Sequence, residues 1–163
     1  MRWLKQWWPA LVWAGVIWSF STGVFTSENT ASIIIPFLHW LLPHATSHTL
    51  RFIHHLIRKS GHFTEYFIFS LLLLRSIRSG RRGTHLTWAL ATIALVACWA
   101  TIDEFHQSFV PGRTAAVSDV LLDTTGGIAA QIVVGLVTLW RGARAKRQNK
   151  ASQSGTVETA DND

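Results

Sequence analysis

The chain has 163 residues, which is enough for one domain, and its composition is typical of a membrane protein. It is 48% hydrophobic, with a mean hydropathy of +0.23, and its apolar residues gather in blocks of about 17–25 residues, the length that crosses a bilayer. The net charge of +6 is compatible with nucleic-acid binding, but no nucleic-acid motif accompanies the basic residues, so we exclude that class of function.

Four apolar segments follow one another along the chain, at about residues 7–25, 61–77, 86–102 and 118–140. If each crosses the membrane, eleven of the fifteen Lys and Arg residues fall on one side: Arg2, Lys5, Arg75, Arg78, Arg81, Arg82, Arg141, Arg144, Lys146, Arg147 and Lys150. Basic residues concentrate on the cytoplasmic side of membrane proteins. We therefore expect an all-α protein, a four-transmembrane-helix bundle in the inner (plasma) membrane with both termini cytoplasmic.

The first outer region, residues 26–58, contains a further apolar stretch at 32–43. This stretch is too short to span a bilayer and contains Pro36 and Pro43. We expect it to lie in the outer interface or to enter the membrane as a re-entrant segment. The alternative is a simple loop packed on the bundle.

A basic face precedes the second segment. Arg51, His54, His55 and Arg58 fall at helical spacing within residues 51–59, which indicates an interfacial helix. The face either attracts lipid head groups or forms the rim of a phosphate-binding site.

Three segments carry ionisable side chains at their outer ends, and helix rise places these side chains in one layer. Charge at membrane depth is costly, so such residues are functional candidates by default. The candidate catalytic residues are His62, Glu65, Asp103 and Glu104. The candidate substrate-binding residues are Lys59, Tyr66, His106, Gln107, Arg113, Asp119 and Asp123.

Acids outnumber bases in this layer. Five carboxylates face only Lys59 and Arg113, with Arg58 at the rim, and five carboxylates in a low dielectric cannot all stay ionised. Either some are protonated, or His62 or His106 is cationic, or a bound cation completes the set. No metal motif such as H-E-x-x-H lies on one helix, and we expect no metal or cofactor.

Two further patterns concern the approach of the helices. Val110-Pro111-Gly112-Arg113 predicts a turn that brings Arg113 over the segment ends, to hold a phosphate or carboxylate or to pair with a carboxylate and pin the loop. Asp119, Asp123, Gly126 and Ala130 share one helical face, where small residues let a neighbouring helix approach closely. Cys98, the single cysteine, lies in an apolar run, and we expect it to be buried.

These motifs resemble those of the VanZ-like family of small bacterial membrane proteins, over roughly residues 10–140. The resemblance rests on Lys59-x-x-His62-Phe63-x-Glu65-Tyr66, on Asp103-Glu104-Phe105-His106-Gln107-x-Phe109-Val110-Pro111-Gly112-Arg113, and on Asp119-Val120-Leu121-Leu122-Asp123-x-x-Gly126-Gly127. It implies a VanZ-like transmembrane domain at 1–145, and the polar composition of 146–163 predicts a disordered cytoplasmic tail. The family usually has Asn at the position of Asp123, and often Gly at that of Ala130.

The resemblance implies a link to tolerance of the glycopeptide teicoplanin, so our first hypothesis is a membrane factor that binds or acts on lipid-linked envelope components. Its expected partners are the lipid bilayer and a lipid-linked envelope precursor or a membrane protein. One alternative is a hydrolase or transferase for a lipid phosphate, with His62 or Glu104 as acid or base and Lys59 and Arg113 holding the phosphate. Another is a small proton-coupled transporter subunit.

Overall fold

The computed structural model describes residues 2–22, 26–81, 85–111, 113 and 115–160, with side chains described for 3–148 of these. The described residues form helices and no strand, which confirms the all-α class. The helices are α1 (Arg2–Phe20), α2 (Ser27–Leu41), α3 (Ser47–Arg78), α4 (Leu86–Gln107) and α5 (Val117–Ala160). The first apolar segment, expected at 7–25, therefore ends as a helix at Phe20; residues 23–25 lie outside the described part.

Helix α3 is the centre of the bundle and contacts each of the other four helices. Its 32 residues extend about 48 Å at 1.5 Å per residue. The sequence predicted two helices here, an interfacial one at 51–59 and a span at 61–77; the break between them is wrong, because the structure has one continuous helix. Gly61 is the glycine inside this helix. One glycine destabilises a helix by about 1 kcal/mol relative to alanine, which is too little to end it.

The apolar stretch of the first outer region forms helix α2, and not the simple loop that was the alternative. Thr26 caps the helix by accepting a hydrogen bond from the Asn29 N–H at 3.2 Å, and Pro36 lies inside the helix. Its 15 residues extend about 22 Å, less than the roughly 30 Å of a bilayer's hydrocarbon core. Interfacial or re-entrant placement of α2 stays a prediction.

Two described helices are long and apolar enough to cross a membrane, at Leu86–Gln107 and Val117–Gln148. Only 22% of each apolar window is buried inside the molecule, whereas the core helix of a soluble protein is mostly buried. Cys98 lies on this outward-facing apolar surface and is exposed. The expectation that Cys98 is buried is therefore wrong, because an apolar run on such a helix faces outward as well as inward.

The core lies between α1, α3 and α4, and its largest side chains come from α3. It consists of Ala10, Ala14, Ile17, Tyr66, Phe69, Leu73, Val96 and Ala100. The predicted small-residue face of α5 is confirmed: a Cβ on Gly126 would lie 2.5 Å from the Phe63 carbonyl oxygen, and one on Gly127 would lie 2.7 Å from Val96 Cγ1. These two glycines therefore serve helix packing.

Helix α5 continues to Ala160, into the tail that the sequence predicts to be disordered. Residues 161–163 and the side chains of 149–160 lie outside the described part of the chain. The division into a domain at 1–145 and a disordered tail at 146–163 stays a prediction.

Candidate functional site

Asp103 is the centre of a buried hydrogen-bond network between α4 and the end of α1. Its carboxylate accepts hydrogen bonds from the Ser21 hydroxyl and from Gln107 Nε2 at 2.9 Å. Gln107 Nε2 also donates to Ser21 Oγ at 3.0 Å. The predicted shared face of Asp103 and Gln107 is present, but Ser21 was missed. Its position at the outer end of the first apolar segment was the signal that could have found it.

Glu104 has a backbone partner. Its Oε1 accepts a hydrogen bond from the Ala116 N–H at 2.6 Å, directly before the first residue of α5, and the side chain is buried. The N-terminal N–H groups of a helix lack partners within the helix, and negative charge is favourable there. Glu104 therefore caps α5 from α4.

Two pairs connect α3 to α5. Lys59 Nζ forms an ion pair with Asp119, and the two side chains are only 28% and 26% exposed. His62 Nδ1 lies 3.6 Å from Asp123 Oδ1, and neither atom has a hydrogen-bond partner among the described residues. The sequence placed these residues in one layer, and the structure brings them together across the helix interface.

Tyr66 and His106, both predicted to bind substrate, lie in packing positions. Tyr66 is fully buried in the core, with its ring 6.3 Å from that of Phe69. His106 stacks on Trp18 of α1, with ring centroids 4.1 Å apart. Neither residue is part of the two cavity walls described next.

A polar cavity of about 140 Å³ lies between α2, α3, α4 and the segment that precedes α5. Its wall is formed by Ser27, His55, Arg58, Lys59, His62, Gln107, Arg113 and Asp119. Among these described residues, three side chains are cationic (Arg58, Lys59 and Arg113) and one is a carboxylate. The cavity therefore has a positive wall, although the sequence suggested an excess of acids in this layer.

A second cavity of about 260 Å³ has a more apolar wall, formed by Ile17, Phe20, Ser21, Thr30, Arg58, Gly61, His62, Glu65 and Arg113. The two cavities share Arg58, His62 and Arg113. Asp103, Glu104 and Asp123 belong to neither wall as far as the structure describes them, because their carboxylates face helix contacts. Three basic residues (Arg58, Lys59 and Arg113) and two carboxylates (Glu65 and Asp119) thus line the space that a ligand can enter.

The shared arginines are held by backbone and side-chain oxygens. Arg113 Nη2 donates to the carbonyl oxygen of Phe20, the last residue of α1, at 2.6 Å, which is a favourable position for a cation. The Arg113 N–H donates to Val110 O at 3.1 Å, so the predicted turn is present; Gly112 lies outside the described residues. Arg58 Nη1 donates to Thr30 Oγ1 at 3.1 Å.

The two guanidinium groups repel each other. Burial lowers the pKa of Arg58, while Asp119 and Glu65 raise it. Burial also lowers the pKa of Arg113, and the neighbouring charge of Arg58 lowers it further, while the carboxylates of Asp103, Glu104 and Glu65 raise it. Because guanidinium groups keep their proton in proteins, both stay cationic. Within the described residues, no group of three or more His, Cys, Asp and Glu side chains is arranged to hold a metal ion.

The comparison with known proteins gives a family. The sequence model of VanZ/LLP1 matches residues 7–138, a range that includes all three charged motifs and both shared arginines. No curated protein and no solved structure matches the chain significantly. Since the family match covers most of its length, the chain belongs to the VanZ/LLP1 family.

Proposed function

We propose that this protein is a multi-pass protein of the plasma membrane that binds the anionic head group of a lipid-linked envelope component at its outer face. The observation that carries the proposal is the pair of adjoining cavities with different walls. One is polar and positive, the other is more apolar, and Arg58, His62 and Arg113 line both. Such a pair of cavities matches an amphiphile with a negative head group.

The proposed topology adds α1 and residues 61–78 of α3 to the two apolar helices as membrane spans. The first half of α3 and helix α2 then lie at the outer interface, above the spans. Trp40 of α2 is exposed, and tryptophan is frequent at head-group depth. Both cavities would open on the side with few basic residues, which is the outer side.

Charge supports an anionic ligand over a cation. The carboxylate in the polar wall, Asp119, already pairs with Lys59. The neighbouring charge of Arg58 lowers the pKa of Arg113, so an anion held by both guanidinium groups would offset this repulsion. Guanidinium groups bind phosphate through paired hydrogen bonds, which makes a lipid phosphate the head group of best fit.

The link to glycopeptide tolerance rests on the family resemblance. Glycopeptide antibiotics act on the cell envelope, and a protein that holds a lipid-linked envelope component could change how much of that component the antibiotic reaches. We therefore include tolerance in the proposed function, as a consequence of lipid binding.

Binding of dodecyl phosphate to the purified protein in amphipol tests this function. We expect the double variant Arg58→Gln/Arg113→Gln to lose at least tenfold in affinity, which corresponds to about 1.4 kcal/mol. The control is Arg78→Gln, the same substitution at the opposite end of α3, which should bind like the wild type. The proposal is refuted if the double variant binds dodecyl phosphate as tightly as the wild type does. It is also refuted if the wild type prefers the cationic amphiphile dodecyltrimethylammonium.

One observation favours hydrolysis as a second candidate function. His62 lines both cavities, and the buried Asp123 lies behind it at 3.6 Å. In this reaction His62 takes a proton from water, the water oxygen attacks phosphorus, and the bond to the alcohol oxygen breaks as protonated His62 returns that proton to it. The wild type should then release phosphate from dodecyl phosphate, and His62→Gln should not. Absence of phosphate release from the wild type eliminates this candidate.

A further inference from the structure

Gly61 has no packing role in the described structure. It lies inside α3, it is exposed, and a Cβ added to it would meet no heavy atom within 4 Å. Gly126 and Gly127 of α5 differ, because an added Cβ there would collide with α3 and α4. Glycine is unfavourable in a helix interior compared with alanine, so the packing of the bundle does not explain why glycine stands at position 61.

Gly61 lies in the wall of the more apolar cavity, opposite residues of α1. Ile17 and Phe20 of α1 line the same cavity, and Phe20 is 38% exposed, which places it at the cavity's edge. Trp13 Nε1 donates to the Glu65 carbonyl oxygen at 2.9 Å and fixes α1 against α3 about one helical turn beyond Gly61. Between that contact and the end of α1, Gly61 lines the cavity without contributing a side chain.

This part of the apolar cavity adjoins the positive cavity. Arg58 precedes Gly61 by three residues, which is about one helical turn, and Arg58 lines both cavities. A phosphate held by Arg58 and Arg113 would therefore have its ester oxygen near the apolar cavity. Beside Gly61 the space is open, since an added Cβ there meets no heavy atom within 4 Å.

We infer that Gly61 forms a side opening between α1 and α3 through which the hydrocarbon chain of the bound lipid extends into the bilayer. The inference rests on the proposed function and adds the route of the ligand: the long chain of the lipid phosphate enters sideways from the membrane. A small water-soluble phosphate would use the positive cavity alone. The size of the residue at position 61 then decides how well the long-chain ligand binds and leaves the short-chain ligand unaffected.

The test compares dodecyl phosphate with butyl phosphate on three proteins in amphipol: the wild type, Gly61→Leu and Gly15→Leu. Gly15 is the matched control, because it is also an exposed helical glycine with no heavy atom within 4 Å of an added Cβ, and it lines neither cavity. We expect Gly61→Leu to weaken dodecyl phosphate binding at least tenfold and to leave butyl phosphate binding within twofold of the wild type. Gly15→Leu should change neither.

Three other outcomes would overturn either the side opening or the proposed function. If Gly61→Leu binds dodecyl phosphate like the wild type, the side opening is wrong and the anion site stands. If Gly61→Leu weakens both ligands equally, the residue acts on the site as a whole and the inference is also wrong. If the wild type binds neither phosphate, the proposed function itself fails. Gly61→Ala, with a smaller side chain, should fall between the wild type and Gly61→Leu for dodecyl phosphate alone.

Discussion

The Glu104 carboxylate accepts a hydrogen bond from the Ala116 N–H at 2.6 Å, which joins the last turn of α4 to the start of α5. Replacing Glu104 by alanine leaves this N–H without its acceptor. This hydrogen bond is part-buried, and a protein hydrogen bond contributes about 0.5–1.5 kcal/mol net, so we expect Glu104→Ala to lower the free energy of unfolding by that amount. Glu104→Gln keeps an acceptor oxygen and should lose less.

Thermal unfolding of both Glu104 variants in amphipol measures this difference. The same samples should be assayed for dodecyl phosphate binding, because a capping role predicts that Glu104→Gln binds normally. An alanine variant as stable as the wild type would show that the cap contributes nothing.

Gly126 is expected to tolerate no side chain. The Cβ of Gly126→Ala would lie 2.5 Å from the Phe63 carbonyl oxygen, and this backbone atom cannot move unless α3 moves with it. Overpacking of this kind costs about 1–3 kcal/mol. Gly135→Ala on the same helix is the control, since an added Cβ there meets nothing within 4 Å, and it should be neutral or slightly stabilising. Equal melting temperatures for the two variants would contradict the close contact between α3 and α5.

The four-span topology predicts opposite sides for two exposed positions. We expect Phe109→Cys to react with a membrane-impermeant maleimide on intact cells, and Arg81→Cys to react only after the membrane is opened. Both variants need the Cys98→Ser background, because Cys98 is itself exposed on α4. Reaction of both positions from the same side would require a different number of crossings.

Docking of α2 on α3 should weaken in acid. The His54 side chain is buried and its Nε2 lies 3.2 Å from Thr30 Oγ1 of α2. Burial lowers the pKa of His54, and Arg58 and His55 lower it further. A released His54 therefore binds a proton more readily than a docked one. The stabilisation by docking is full above the ordinary pKa of about 6.5 and declines as the pH falls below it.

Labelling of Leu38→Cys, again with Cys98→Ser, reports this release, because Leu38 is buried in α2. The labelling rate at pH 5 relative to pH 8 should be higher with His54 present than in the His54→Gln background. The pH dependence of the thiol's own reactivity is the same in the two backgrounds, so it cancels when the two ratios are compared. Identical ratios in the two backgrounds would assign no role to His54.

Helical spacing predicted several contacts because each depends on one face of one helix. Asp103 and Gln107 are four residues apart and hydrogen-bond. Gly126 lies on the face of Asp119 and Asp123 and gives the close helix contact. The order of the three motifs along the chain placed their residues at one end of the bundle. These features follow from local periodicity and from the length of the apolar segments.

Spacing could not predict which charged groups face a cavity. Asp103 and Glu104 were candidate catalytic residues, but the Ser21 hydroxyl after α1 and the Ala116 N–H before α5 satisfy their carboxylates. Ser21 is 82 residues from Asp103 and Ala116 is 12 residues from Glu104, and both contacts depend on how the helices meet. Arg58 was placed only at the rim and lies in both cavity walls, since α3 continues through the point where the sequence divided it.

Native mass spectrometry of the protein, extracted gently with its lipids, tests the anionic lipid site most directly. We expect a bound anionic lipid on the wild type and on Arg78→Gln. The double variant Arg58→Gln/Arg113→Gln, purified in the same way, should have lost it. A wild type that carries no anionic lipid, or a double variant that retains it at the same occupancy, would contradict the account.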